Sequence, residues 1–506
     1  MFDFLVYDNL CKPLSNSFLL YGLMENLKDK HGAYRHILRY ISLFGSVQAL
    51  SILVGLARTK VAALFLNAYG MGVSSILNST VSLLANASNM GLPVSGVHAI
   101  SGEMEKSENV ALSETICLIR SLCLMAALVG MLFCALLSPV INSLTFAGDK
   151  HILDFIVLSP VIALTTMLGG ELAVLKATRQ LRSIAMASLL GVIASLVISA
   201  PIYYIWGVQG IVPVIGLMAF VQWLVTLRYS CRYYPLRYSF SLKVLRKGKG
   251  IIRLGAAFVM ATMVNSLAEF LIRSFLCQAG DVRTVGLFNA AITLSIGYTG
   301  VVFTSLESDY FPRLSAIARK KEEWTVCVNR QREVNVLLAG PMLMLFILVL
   351  PMMVPLLYSS DFVDMTRMAQ LAAVGVFFKA SYAPMEYLPL AKGEPKVYFW
   401  QESLAVLLLF LSEVIGFLLG GLTGLGVGVL VANGLELLAV SCFCRYYYGY
   451  HSSKKSVKYG VGQAILLLTT LFLVFRSEDS GMFSVFTFVV LFVSGLLSCR
   501  SIVKNL

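Results

Sequence analysis

The sequence predicts an all-α polytopic membrane protein of about 14 transmembrane helices, with two pseudo-symmetric six-helix lobes around a central cavity and two further helices at the C-terminal end. Three observations carry this. Of 506 residues, 58% are hydrophobic and 13% are charged, whereas about one-quarter of a soluble domain is charged. The apolar runs are long enough to cross a bilayer as helices and too long for barrel strands. Landmark residues in the first half recur in the second at an offset close to 214 positions.

In chain order, residues 1–37 carry Lys12, Lys28, Lys30 and Arg35 and read as a cytoplasmic N-terminal arm. Asp3 and Asp8 stand where a signal peptide would be positive, so the first span is expected to act as its own insertion signal. Spans are predicted at 38–65, 73–97, 111–139, 151–174, 183–205 and 209–228, which form an N-lobe over 38–228. A basic cytoplasmic linker follows at 229–250. The C-lobe, 251–445, holds spans at 251–276, 284–306, 335–358, 368–390, 398–420 and 423–444. Residues 446–506 supply spans at 459–475 and 481–499 and a cytoplasmic tail.

With both termini placed in the cytoplasm, 31 of the 40 Lys and Arg fall on cytoplasmic segments and 4 on the opposite loops. That asymmetry is a positive-inside signal, and it accounts for the net charge of +13 without nucleic acid as a partner. The repeat pairs Gly207-Val-Gln-Gly210 with Gly421-Leu-Thr-Gly424, Gly72 with Gly286, Arg58 with Arg273, and Lys176 with Lys392. Repeats of the same direction imply a pseudo-twofold axis along the membrane normal.

Polar residues inside spans are costly and mark candidate sites. Arg58 and Lys60 sit in the first span, and Gln48, Ser51 and Gly55 share a helical face with Arg58. Ser75, Asn78, Ser82, Asn86 and Asn89 form a stripe in span 2, suited to sugar hydroxyls or to interhelical hydrogen bonds. Asn265, Glu269 and Arg273 recur every four residues in span 7, and Lys379 shares a face with Tyr382 and Glu386 in span 10. The candidate substrate-binding residues are Arg58, Lys60, Arg273, Lys379, Asn78, Asn86 and Asn89. Glu269, Glu413 and Glu436 are candidate ion-coupling carboxylates. The ten cysteines and five histidines show no metal spacing, and no metal or cofactor is expected. The glycines between Gly420 and Gly434 follow no strand and are read as close helix packing, not as a phosphate loop. No nucleotide-hydrolysis motif or nucleophile–base constellation is present in the sequence, so no enzyme activity is expected.

Ser51-x-x-x-Gly55-Leu-Ala-Arg58 followed by Gly70-x-Gly72 resembles the first helix of lipid II flippases and of the related polysaccharide repeat-unit (O-antigen type) flippases. Asn89-Met-Gly91-Leu-Pro93, the two glycine turns and Lys392-Gly-Glu-Pro-Lys396 resemble further elements of the latter. The resemblance covers roughly 38–445 and implies a member of the multidrug/oligosaccharidyl-lipid/polysaccharide (MOP) exporter superfamily with a MATE-like fold. It implies alternating-access transport of a polyprenyl-pyrophosphate-linked oligosaccharide across the bacterial inner membrane, for surface polysaccharide or O-antigen biosynthesis, with Arg58 at the pyrophosphate. Coupling to Na+ or H+ is left open. Lipid II flippases carry arginines in helix 2. Here that region reads Leu84-Ala-Asn86-Ala, which favours a repeat-unit flippase. A monomer surrounded by membrane lipids is expected, and association with a polysaccharide polymerase or with glycosyltransferases is left open. The alternatives are a MATE-like drug or small-cation antiporter and, further off, a membrane polysaccharide polymerase.

Overall fold

The computed structural model describes residues 21–105, 109–146, 151–239, 242–476 and 482–505. Those residues are helical almost throughout. α1 (Tyr21–Ser88) bends at Asn67 into arms 21–66 and 68–88, and α2 (Leu92–Glu105), α3 (Asn109–Thr145), α4 (Ile152–Ala177), α5 (Leu181–Trp206) and α6 (Ile211–Cys231) follow. Then come α7 (Leu242–Ala279), α8 (Val282–Ile292), a π-helical turn (Thr293–Tyr298), α9 (Thr299–Ile317), α10 (Lys321–Leu357) and α11 (Thr366–Glu386). α12 (Leu388–Ala391), α13 (Pro395–Tyr447), α14 (Lys454–Arg476) and α15 (Met482–Asn505) complete the chain. Among the described residues, seven helical stretches are long and apolar enough to cross a membrane, and three of these contain an internal bend: 50–88, 181–231 and 395–447. The chain is a multi-pass membrane protein.

The boundaries differ from the sequence reading in several places, and the first helix already begins at Tyr21, within the expected arm. The helix expected at 73–97 breaks at Asn89–Gly91, where Met90 and Gly91 take positive φ and the Asn89 side chain accepts from the Gly91 N–H. The helix expected at 284–306 loosens into the π turn. The last part of the expected linker is helical, because α7 starts at Leu242 and its Lys and Arg are good helix formers. α10 begins at Lys321, well before the apolar run at 335, with Glu322 and Glu323 favouring its positive N-terminal end. Of the expected N-terminal arm, residues 1–20 lie outside the described residues, as does the side chain of Gln48.

The 214-residue offset is visible in the backbone. Gly207 (φ 52, ψ −129) and Gly421 (φ 57, ψ −137) adopt the same left-handed conformation, which L side chains rarely tolerate. Each reverses the chain. A Cβ on Gly424 would collide with the Gly416 carbonyl oxygen, although eight residues of unbroken helix would separate the two by about 12 Å. At the corresponding positions, Gly210 packs on Ile202.

The same offset relates two surfaces that meet. Gly72 packs against the Val282 carbonyl and Gly286 packs against the Ala68 carbonyl, and 68 and 72 become 282 and 286 under the repeat. The second arm of α1 and the start of α8 therefore cross through a self-complementary contact, which only glycine allows at this separation. A second close approach, Gly91 on Gly255, joins the break after α1 to α7.

Candidate functional site

The space between the crossings is a cavity of about 600 Å³. Its wall comes from both arms of α1, from α4, α5, α6, α7 and α8, from Thr293 at the start of the π turn, and from Tyr358. Its polar groups include Ser74, Ser75, Asn78 and Ser82 of α1, Ser195 of α5 and Gln222 of α6. Gln222 fits there because Gly191 lacks a side chain to exclude it.

Two guanidinium groups reach this cavity, and they differ in what they touch. Arg58 lies nine residues before the Asn67 bend, about 13 Å along the helix. It is exposed to the cavity and makes no hydrogen bond or ion pair with another described residue. Arg273 is engaged on several sides. Its Nε donates to Ser75 Oγ (2.8 Å), and its terminal nitrogens donate to the Glu269 carbonyl (2.9 Å), the Glu269 carboxylate (3.4 Å) and Asn289 Oδ1 (3.3 Å). Arg273 thus binds α1, α7 and α8 together and sets one cavity wall. The Arg58 donors have no protein partner among the described residues, and the planar fork of a guanidinium suits a phosphate or carboxylate.

The other sequence candidates separate. Asn78 lines this cavity and donates to the Ser74 carbonyl (2.7 Å). Asn86 donates to Ser266 Oγ (2.7 Å) and Asn89 donates to Asn86, so both lie on the seam with α7 and not on the cavity wall. Lys60 donates to the Tyr358 and Pro355 carbonyls at the end of α10. Glu269 lines the cavity, while Glu413 is buried (5% exposed) outside its lining. Lys379 and Glu436 line a different cavity of about 460 Å³, bounded by α7, the π turn, α9, α11 and α13.

Sequence reasoning missed Asp361. Its carboxylate accepts from the Ala68 N–H (2.9 Å), the first free amide of the second α1 arm, and from Arg283 (3.0 Å). A carboxylate at a helix N-terminus is favoured by the unpaired amides and the dipole. With Lys60 on Tyr358, it ties the Asn67 bend of α1 to the end of α10 and the segment that follows it. No local pattern signals this, because the partners are 293 residues apart.

A family model described as polysaccharide biosynthesis protein matches residues 63–367, more than half of the chain. The chain belongs to this family. No curated protein matches it. Among solved structures, it is similar to the lipid II flippase MurJ in an inward closed conformation, with a TM-score of 0.65, 14% identity, and coverage of 92% of this chain and 99% of that one. It is also similar to an inward-facing multidrug resistance MATE family transporter of the MOP superfamily, with a TM-score of 0.65, 16% identity, and coverage of 79% and 96%. The fold of this family member is therefore the MATE-like fold of MOP-superfamily transporters.

Proposed function

We propose that the chain is a flippase that moves polyprenyl-pyrophosphate-linked oligosaccharide repeat units across the bacterial inner membrane by alternating access. The observation that carries this is the unpaired Arg58 guanidinium in a polar cavity between two helix crossings. The pyrophosphate engages Arg58, and the hydroxyl and amide side chains meet the first sugar. The polyprenyl tail stays in the bilayer, where burial of its methylenes is already satisfied. The two halves related by the repeat act as lobes, about fourteen spans cross the membrane, and both termini face the cytoplasm, as the Lys and Arg asymmetry argues. On that orientation the Asp361 end is periplasmic.

Net transport against a gradient requires coupling to Na+ or H+. Glu269 is paired with Arg273 and Glu413 is buried near it, so a change in their occupancy by a cation or proton would alter the wall that Arg273 sets. Drug-cation antiport is the weaker reading, because the cavity between the crossings offers two arginines against one carboxylate.

Complementation of surface-polysaccharide export tests the proposal. Arg58→Lys should be impaired and Arg58→Ala more so. Loss of a charge-assisted bidentate contact costs about 1.5–3 kcal/mol, or roughly one to two decades in affinity. Lipid-linked repeat units should then accumulate on the cytoplasmic leaflet. Unchanged export by a normally expressed Arg58→Ala protein would remove Arg58 from the site.

A further inference from the structure

The second cavity differs in chemistry from the first. At about 460 Å³ it falls in the range of small-molecule pockets, roughly 300–1,000 Å³, and is many times the volume an inorganic ion needs. Its polar groups are arranged in pairs. Tyr387 donates to Glu307 (2.9 Å), and Tyr382 donates to Glu436 while also touching Asn433 (3.1 Å). Tyr398 and Glu402 line the same wall one helical turn apart on α13. In each hydrogen-bonded pair one oxygen of the carboxylate is held by the phenol, and the carboxylate keeps further lone pairs for a ligand. Lys379 extends into this space, exposed to it, with no hydrogen bond or ion pair to another described residue. Glu386, only 8% exposed, also faces it.

The two cavities lie along one helical face. Asn265 of α7 lines the second cavity, and Glu269 and Arg273, one and two turns on, line the first. The helix that runs from α8 through the π turn is shared in the same way, with Asn289 and Thr293 on the first cavity and Ile296, Gly297 and Gly300 on the second. Gly297, which is exposed, and Gly300, beside which an added Cβ would meet nothing, leave the backbone of this wall open to the space. From Arg273 to Asn265 the distance along α7 is about 12 Å.

We propose that the second cavity is a saccharide subsite, which takes a sugar ring distal to the pyrophosphate held at Arg58. Oriented carboxylates accept from neighbouring ring hydroxyls, the tyrosine rings supply flat apolar faces for the ring C–H groups, and Lys379 donates to a carbonyl, carboxylate or ring oxygen of the same sugar. An isolated cation would satisfy the carboxylates and leave Lys379 repelled. A polyol satisfies both. The inference rests on the flippase reading for the identity of the ligand that bridges the cavities.

The test uses the purified full-length chain and two probes, polyprenyl pyrophosphate without sugar and the same lipid bearing an N-acetylhexosamine disaccharide. Glu402→Gln and Tyr398→Phe should each weaken binding of the disaccharide lipid about tenfold and leave the sugar-free lipid unchanged. Arg58→Ala should weaken both. Equal binding of both probes by the Glu402→Gln and Tyr398→Phe proteins and the wild type would overturn the subsite and leave the flippase reading standing. A change confined to the Na+ or pH dependence of binding would also overturn it, in favour of an ion site. If neither lipid binds, the flippase reading fails. The subsite is then decided by saturation-transfer NMR with free glucose, N-acetylglucosamine and glucuronate, where contacts abolished by Tyr398→Phe support it and no contact refutes it.

Discussion

At the scale of single residues, charge placed inside the protein has three fates. Arg120 and Glu171, each 3% exposed, form a bidentate pair (2.9 Å for both contacts), and Arg120 also donates to Ser230 and to the Tyr234 and Pro235 carbonyls. That pair anchors the segment after α6 and has no access to a ligand. Arg273 holds helices together, and Arg58 has no protein partner among the described residues. Removing one member of the buried pair should cost about 3–5 kcal/mol, whereas replacing both with apolar residues should cost far less. Arg120→Met should therefore lower the unfolding midpoint of the purified protein markedly, and Arg120→Met combined with Glu171→Leu should recover most of the loss. Equal losses would show that the pair itself, and not an orphaned charge, sets stability. Arg58, Lys60 and Arg273 stood out in the sequence as cations inside spans, and Arg120 falls inside the span at 111–139. Sequence could not assign their fates, because the partners of Arg120 and Lys60 lie 51 to 298 residues away.

At the scale of elements, glycine decides where helices turn and where they touch. The matching turns at Gly207 and Gly421 were legible as a repeat, since both the residue type and the spacing recur. The reciprocal contact of Gly72 and Gly286 was visible only as two glycines at the right offset, and its meaning required the tertiary structure. The π turn was not legible, because the apolar pattern runs through it, whereas the break at Asn89–Gly91 is marked in the sequence by Asn89, Gly91 and Pro93, signals that the span expected at 73–97 passes over. A valine at Gly72 has no room beside the Val282 carbonyl. Gly72→Val should push the crossing apart and admit reagent from the Asn67 end, so that Asn78→Cys in this background labels faster with an impermeant thiol reagent than Asn78→Cys alone. Equal labelling rates would mean that the crossing does not close the cavity.

At the scale of the whole molecule, hydropathy and loop charge specified a multi-pass helical protein, and the residue resemblance specified its fold. They could not reveal that Arg58 and Lys379 belong to separate cavities, since lateral position in a helix bundle leaves no periodic trace. Orientation has its own check. In intact cells, Asp281→Cys and Asp364→Cys should react with an impermeant reagent, and native Cys231 and Cys327 should react only after permeabilisation. The reverse pattern would invert the assigned topology and place the Asp361 contacts on the cytoplasmic side.

The central claim is that the cavity between the two glycine crossings carries a pyrophosphate-linked saccharide through the membrane by way of Arg58. The most direct measurement is translocation in proteoliposomes of a short-chain polyprenyl-pyrophosphate-linked N-acetylhexosamine, read by its exposure to an external lectin. Wild-type protein should expose the sugar. Arg58→Ala protein of equal folded content should expose it at least tenfold more slowly, in line with the lost charge-assisted contact. Equal rates for the two proteins would contradict the account.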